Sequence, residues 1–258
     1  MDPVYWMPYY EAIARDLGLD PEKDAASARM LSSLLSSNSR VHPFDETQLE
    51  LERLITGREV FVLGAGPDLE MELDSLIPEM HSNGRWKGAG TGKDVLITAD
   101  GATSVLLSRG YIPHIVVTDM DGGIEDQLMC LSKGSVMLLH AHGDNPRRLG
   151  EVSRRLHGSV LGTTQVLPSD SGDLSNFGGF TDGDRGVFLA GHFGARSIML
   201  LGFDFNDVAP KIGDGGTRGE SLDPVENEFK FKKLAWANIL LGIVPGPEIR
   251  FYSDRAPF

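Results

Sequence analysis

Cysteine is almost absent from these 258 residues: the one thiol, Cys130, lies in the apolar stretch Leu128-Met129-Cys130-Leu131. A single thiol excludes an intrachain disulfide framework, and its apolar setting predicts a core residue in a reducing compartment. Long apolar runs are missing too. None approaches the roughly 18 to 20 residues that span a bilayer, and Met1-Asp2-Pro3-Val4-Tyr5 offers neither the basic nor the apolar segment of a secretory leader. The expected location is therefore cytoplasmic, with no membrane partner. Basic residues are scarce, 24 Lys and Arg against 37 Asp and Glu, for a formal net charge of -13. That deficit argues against a nucleic-acid partner, because gripping polynucleotide runs on neutralising phosphates over a broad cationic face. A small anionic substrate remains open, and a nucleotide would need a divalent metal between its phosphates and the protein's acids.

What the chain does have is a change of texture near Gly57. Residues 1–56 read as a helical N-terminal region, with helices over Tyr9 to Leu17, Ala25 to Leu35 and from Asp45, where Asp45 and Gln48 have capping-box spacing. Residues 57–258 read as an α/β catalytic domain, because short β-branched runs alternate with amphipathic segments as in a mostly parallel sheet with crossover helices. The runs are Glu59 to Leu63, Val95 to Ala99, Ile115 to Thr118, Val136 to His140, Val160 to Thr164, Ile198 to Gly202 and Ile249 to Tyr252. No internal repeat interrupts them. In such sheets ligands sit beyond the carboxyl ends of the strands, and here polar residues and glycines gather at nearly every end, as if backbone approached a ligand closely. The glycine-rich segment from Asn206 to Ser221 reads either as a mobile lid or as a disordered insertion.

The sharpest signal is Ile115-Val116-Val117-Thr118-Asp119-Met120-Asp121-Gly122. Two carboxylates at i and i+2 directly after an apolar strand can both reach one hard cation, and Gly122 lets the backbone turn away beneath it. Asp100 ends another apolar strand in the same manner, and three converging carboxylates repel one another without a cation. The bland alternative is an Asp-rich turn that caps the next helix. Gly64-Ala65-Gly66-Pro67-Asp68-Leu69 could offer backbone N–H groups to phosphate, although a dinucleotide fingerprint needs glycine where Leu69 stands. Gly88-Ala89-Gly90-Thr91-Gly92-Lys93 is not a P-loop: its first glycine is replaced by Lys87, Asp94 follows the lysine, and the stretch precedes a strand. It reads as a surface loop.

His140, His142 and Asp144 are open to three roles, as metal ligands, phosphate donors or bases, while Asn145-Pro146 predicts a helix start that aims free N–H groups at an anion. Zinc is disfavoured because no cysteine lies nearby. In Asn176-Phe177-Gly178-Gly179-Phe180-Thr181-Asp182-Gly183-Asp184-Arg185, aromatics can stack on a planar heterocycle while an amide or carboxylate reads its N–H edge. Alternatively, Phe177 and Phe180 fill core and Asp182 caps the following helix. Lys230, Lys232 and Lys233 could neutralise phosphate, but a solvated helix face is the favoured reading.

Taken in order, Gly64-Ala65-Gly66-Pro67, Ala99-Asp100-Gly101-Ala102, Val117-Thr118-Asp119-Met120-Asp121-Gly122, His140-Ala141-His142-Gly143-Asp144-Asn145, Asn176 to Arg185 and Gly202-Phe203-Asp204-Phe205 resemble the archaeal 6-hydroxymethyl-7,8-dihydropterin diphosphokinase family, itself similar to thiamine pyrophosphokinases. The resemblance covers residues 57–240. It implies transfer of the terminal diphosphate of ATP to the hydroxymethyl oxygen of a reduced pterin, with release of AMP and a requirement for Mg²⁺. Asp119, Asp121 and Asp100 would be the metal ligands, with His140 or Asp144 as candidate bases. Gly64, Gly66, His142, Asn145, Thr163, Thr164 and Gln165 would face ATP; Asn176, Phe177, Phe180, Asp182, Asp184, Arg185 and Asp204 would face the pterin. Asp68 departs from the small hydroxyl residue expected there, which disfavours phosphate contact at that loop. The rival readings are a haloacid-dehalogenase-like phosphatase, a metal-dependent nucleotide-sugar glycosyltransferase and a non-catalytic nucleotide-sensing module. A homo-oligomer is compatible with all of them.

Overall fold

The computed structural model describes residues 3–86, 93–167 and 174–253. Met1 and Asp2 of the leader reading, and Gly88 to Gly92 of the rejected P-loop, lie outside the described residues. Three helices come first: α1 (Pro3–Leu17), α2 (Pro21–Ser36) and α3 (Phe44–Ile55). Strands and helices then alternate as β1 (Glu59–Leu63), α4 (Leu69–Ser82), β2 (Val95–Ala99), α5 (Ala102–Ser108), β3 (Ile115–Thr118), α6 (Ile124–Ser132), β4 (Val136–Ala141), α7 (Pro146–Ser153) and β5 (Val160–Thr164). The chain ends with α8 (Asp182–His192), β6 (Ser197–Leu201), a 3-10 turn at Asp214–Gly216, α9 (Pro224–Leu241) and β7 (Glu248–Phe251).

All seven strands pair in parallel, in the order β5-β4-β3-β2-β1-β6-β7. Four strands have the ends their β-branched runs predict; β4, β6 and β7 differ by one residue, the usual scatter of element ends. Strands β2 to β5 are buried along their whole length, even though β5 is at an edge, which is why they do not read as apolar-polar alternation. From β1 the chain steps outward to β5, then crosses back through α8 to lay β6 and β7 on the far side of β1. Gly186 lets α8 lie close on the sheet centre, since a Cβ there would be 3.1 Å from Val62 Cγ1 and 3.2 Å from Ile97 Cγ2.

One face of the sheet packs with α3 and α8 around Val62, Ile97 and Val117. On the other face α4 and α5 cover Phe61, Leu63 and Leu96, and α1, α2 and α7 cover the β4–β5 half through Met137, Leu139 and Leu149. Cys130 is fully buried, as its apolar setting predicts. Among the described residues no helix is long and apolar enough to cross a membrane.

Two local expectations are corrected. The capping box of Asp45 and Gln48 does not form: the helix starts one residue earlier, at Phe44, with extended Pro43 at its N-cap and the Pro43 carbonyl accepting from Thr47 N. Asp45 instead sits in the first turn, where its charge complements the helix dipole. The cap of α8 is not Asp182 but Thr181, whose N–H and hydroxyl both bond Asp184, the third helical residue.

Candidate functional site

The carboxyl ends of β2 and β3 bring Asp100, Asp119 and Asp121 together, with one oxygen from each lying within 4.8 Å of the others. Register does this. Ala99 pairs with Val117, so the residues that leave the two strands face the same space. Asp100 adopts φ 44° and Met120 φ 64°, left-handed values that are costly for residues with a Cβ and that cluster at functional sites. Gly122 is required for a local reason: a Cβ there would meet Asp100 Oδ2 at 2.3 Å.

Hydrogen bonds fix which oxygens remain for a ligand. Asp100 Oδ1 accepts from Gln127 Nε2 at 2.8 Å and Gly122 N at 3.1 Å, and lies 3.0 Å from Thr118 Oγ1. Its Oδ2 is turned toward the turn below. Asp119 Oδ1 accepts from Asp121 N at 3.1 Å, and its Oδ2 lies 3.1 Å from His142 Nε2. Asp144 N lies 3.3 Å from His142 Nδ1, which orients the ring so that Nε2 faces Asp119. Asp121 pairs with Lys211.

The electrostatics follow from this crowding. Burial, together with the charges of Asp121 and Asp119, pushes Asp100 up to about 7, against the pull of Gln127 and Thr118. Burial also pushes on Asp119, but the His142 hydrogen bond and the charges of His142, Lys233 and Arg185 outweigh it and hold that carboxyl at about 2. A cluster in which one member holds its proton to near neutrality is short of positive charge. Three hard oxygen donors converging on one point suit a divalent cation such as Mg²⁺.

A cavity of about 470 Å³ opens above the cluster, lined by Asp100, Asp119 and Asp121, the Gly64–Gly66 turn, the aromatic wall of Phe203, Phe205 and Phe229, and the cations Arg148, Arg185, Lys211, Lys230 and Lys233. A second cavity of about 290 Å³ lies across Asp119 and His142, under the α1–α2 turn, with Asp24, Gln165 and Phe180 in its wall. Asp119, His142, Asp144, Arg185, Phe229 and Lys233 line both. The acidic cluster is thus reached from two sides.

The sequence candidates distribute unevenly around this geometry. Asp100, Asp119, Asp121, His142, Asp144, Asp182, Arg185, Asp204, Gly64 and Gly66 line the larger cavity, and Gln165 and Phe180 the smaller. Asp182 meets Arg185 Nη1 at 3.0 Å; burial and the charge of Asp119 raise its carboxyl well above the ordinary range. Arg185 also donates to Gln165 Oε1 at 3.2 Å. The remaining candidates lie behind the cavity walls. His140 is buried, with Nδ1 3.0 Å from Thr163 Oγ1, and burial with the nearby Arg185 charge lowers its pKa well below the usual imidazole value. Asn145 donates to Asp119 O at 3.1 Å and His140 O at 2.7 Å, and accepts from His142 N at 3.0 Å, which ties the histidine turn to the aspartate turn. Thr164 is buried, Asn176 bonds Val166 O and Gly178 N, Phe177 packs on His192 and Phe193, and Asp184 caps α8.

The glycines that follow β1 and β6 line the larger cavity and also meet each other. Gly66 N donates to Gly202 O at 2.9 Å, and a Cβ on Gly66 would lie 2.4 Å from that oxygen. The two turns approach each other and close the crevice between β1 and β6.

Three features depart from the favoured sequence readings. Asp24 on α2 is buried and accepts from Gly143 N, Tyr10 Oη and Gln165 Nε2, each at 2.6 Å, so the N-terminal helices clamp the His142 turn. Its signal was available: Asp24 shares a helix face with Ala28, Leu31 and Leu35. The Asn206 to Ser221 segment is a docked strap and not an unstructured insertion. Asp214 accepts from Asp126 N at 2.9 Å, and Arg218 grips Glu70 and the carbonyls of Ala65 and Gly66. It carries Lys211 to the cluster. Finally, Lys230 and Lys233 belong to the cavity and not to a solvated face. They lie three residues apart on the same side of α9, while Lys232 points outward to Glu228.

A family model described as 6-hydroxymethylpterin diphosphokinase MptE-like matches residues 35–209. The chain is 36% identical over 244 residues to a 6-hydroxymethyl-7,8-dihydropterin pyrophosphokinase of Methanocaldococcus jannaschii, covering 93% of this chain and 95% of that one. It is 41% identical over 236 residues to a protein of the same name from Pyrococcus furiosus, covering 92% and 91%. Another from Methanothermobacter thermautotrophicus is 36% identical over 243 residues, covering 92% and 95%. Among solved structures, the MAf glycosyltransferase from Magnetospirillum magneticum AMB-1 aligns with a TM-score of 0.42 at 16% identity, over 83% of this chain and 39% of that one. With a family model spanning more than half its length and relatives this similar over nearly all of it, the chain belongs to the MptE-like 6-hydroxymethylpterin diphosphokinase family.

Proposed function

We propose that this protein is a Mg²⁺-dependent diphosphokinase that transfers the terminal diphosphate of ATP to 6-hydroxymethyl-7,8-dihydropterin and releases AMP. The observation that carries the reading is the convergence of Asp100, Asp119 and Asp121 in a cation-rimmed cavity on a chain of this family. The pterin hydroxyl oxygen forms a bond to the β-phosphorus and gives up its proton to solvent, the bond from that phosphorus to the α–β bridging oxygen breaks, and AMP leaves with that oxygen. Asp100, Asp119 and Asp121 would hold the divalent cation, which would supply positive charge for the phosphate oxygens and the leaving group.

The chain's own residues do the rest by positioning and electrostatics, on which phosphoryl-type transfer mainly depends. His142 and Asn145 hold Asp119 in place, while Gln127 and Gly122 hold Asp100. Lys233 and Arg185 add positive charge on the same side. Phe203 and Phe205 offer faces to a planar heterocycle, with Asp204 beside them to read its N–H edge. Buried His140, with its lowered pKa, is neutral at pH 7 and serves to orient its neighbours. Asp144, largely exposed at the cavity rim, lies with its carboxylate 4.0 Å from His142 Nδ1.

The test is direct. Protein, Mg²⁺, ATP and the reduced hydroxymethyl pterin should yield AMP and the pterin diphosphate on chromatographic separation. ADP, free phosphate or no reaction would overturn the reading.

A further inference from the structure

Lys211 reaches the acidic cluster from the strap between β6 and α9, and its ammonium pairs with Asp121. The backbone that carries it is fixed. Gly219 N donates to Lys211 O at 2.8 Å, and Ile212 beside it is buried against Gly101, where a Cβ would meet Ile212 O at 2.6 Å. The side chain is not fixed in the same way, since about half of it (49%) is exposed to the cavity. A flexible four-carbon stem on a fixed base can carry a compact charge between two nearby anions.

Three other cations around the cavity have different engagements. Arg185 is held by Asp182 and Gln165, Lys230 Nζ donates to Ala209 O at 3.0 Å, and Lys233 lies 5.7 Å from the Phe180 ring centroid. Among the described residues Lys211 is the lysine that touches a carboxylate of the cluster. A divalent cation on the same three carboxylates would bring two positive charges to where the ammonium now sits and would displace it. The nearest strong anion left for Lys211 would then be the phosphate chain of a nucleotide in the same cavity.

We propose that Lys211 is a catalytic lysine: it is the counter-ion of Asp121 in the metal-free protein, and it passes to the phosphates of the nucleotide when a divalent cation takes over the carboxylates. No bond or proton changes at Lys211; it stays an ammonium and neutralises charge on the diphosphate in transfer. The inference rests on the diphosphokinase reading above and adds a residue and an order of events to it.

Two measurements on Lys211→Ala with the full chain should move in opposite directions. Titration with Mn²⁺ without nucleotide, read by the free-ion paramagnetic signal, should show binding about fivefold tighter than wild type, because an exposed competing ion pair is removed. Turnover at saturating Mg²⁺, ATP and pterin should fall about a hundredfold, the usual cost of one charge-stabilising donor, with Lys211→Arg recovering part of it. A lysine that merely docks the strap would leave Mn²⁺ affinity unchanged or weaker, and that result overturns the proposal. So does a turnover number within about twofold of wild type, a change too small for a lost phosphate contact. Wild-type protein that forms no AMP would overturn the diphosphokinase reading by itself; the Mn²⁺ titration needs no substrate and still decides whether Lys211 competes with the cation.

Discussion

The turn after β3 and the loop that enters α8 are built from the same kinds of residue, aspartates among glycines, and they use them in opposite ways. In the turn, Asp119 and Asp121 present carboxylate oxygens to a cavity, and neighbouring groups hold them there. In the loop, Asp184 spends both oxygens on Phe180 N, Thr181 N and the Thr181 hydroxyl, and Asn176 spends its amide on Val166 and Gly178. Composition marks both as chemistry-bearing. What separates them is placement: Asp119 and Asp121 line the cavity even with their hydrogen bonds made, whereas Asp184 lines neither cavity, and that depends on the path of the chain after each strand.

The largest effect that would test the contrast lies in the turn. Asp119→Asn or Asp121→Asn keeps the shape and removes a metal-binding charge, so AMP formation should drop by at least about a thousandfold while circular dichroism and the unfolding midpoint stay near wild type. Near-normal turnover in either variant would end the metal assignment. The loop should respond the other way round. Asp184→Ala strands three donors inside the protein and should cost about 3 kcal/mol in urea unfolding, with turnover per folded molecule little changed. A variant that stays stable but loses activity would place Asp184 in the chemistry after all.

The same contrast explains what the sequence could reveal. The sheet was legible because buried parallel strands must be continuous apolar runs, and each run here ends at a polar turn. Asp100, Asp119 and Asp121 were legible because two strand ends in neighbouring register must converge. Lys211 was not: it sits in a glycine-rich stretch whose position is set by Arg218 on Glu70 and Asp214 on α6, contacts that reach far along the chain and leave no local pattern. The α1–α2 clamp was half legible. The helices announced themselves, but the partners of Asp24, Gly143 and Gln165, lie more than a hundred residues away.

Acid pH sharpens the comparison next. Buried His140, whose pKa burial holds well below the ordinary imidazole value of 6.5, refuses a proton that the unfolded chain accepts. Below pH 6.5 the unfolded state therefore binds more protons at this site than the folded state, and stability falls as pH falls. Asp100 runs the opposite way between 3.8 and about 7: the folded state holds the extra proton, so its contribution is lost as pH rises. The two offset each other in wild type, so variants are needed to separate them. Relative to His140→Gln, wild type should lose about 1.4 kcal/mol per pH unit below about pH 6, read from urea midpoints. Parallel pH profiles would mean that His140 is protonated in the fold.

The smallest effect concerns Phe177, the aromatic that the loop's composition offers to a heterocycle. Its ring lies 4.8 Å from the His192 ring and 5.6 Å from Phe193, between centroids, on the α3–α8 side of the sheet. Neither cavity touches it. Phe177→Leu keeps an apolar side chain of similar reach, so it should cost about 1 kcal/mol of stability and leave the KM for the pterin within about twofold of wild type, since no substrate contact is removed. Phe203→Leu is the matched control, because that ring faces the larger cavity beside Asp204. A pterin KM that rises for Phe177→Leu but not for Phe203→Leu would move the heterocycle to the loop and reverse the contrast between the two regions.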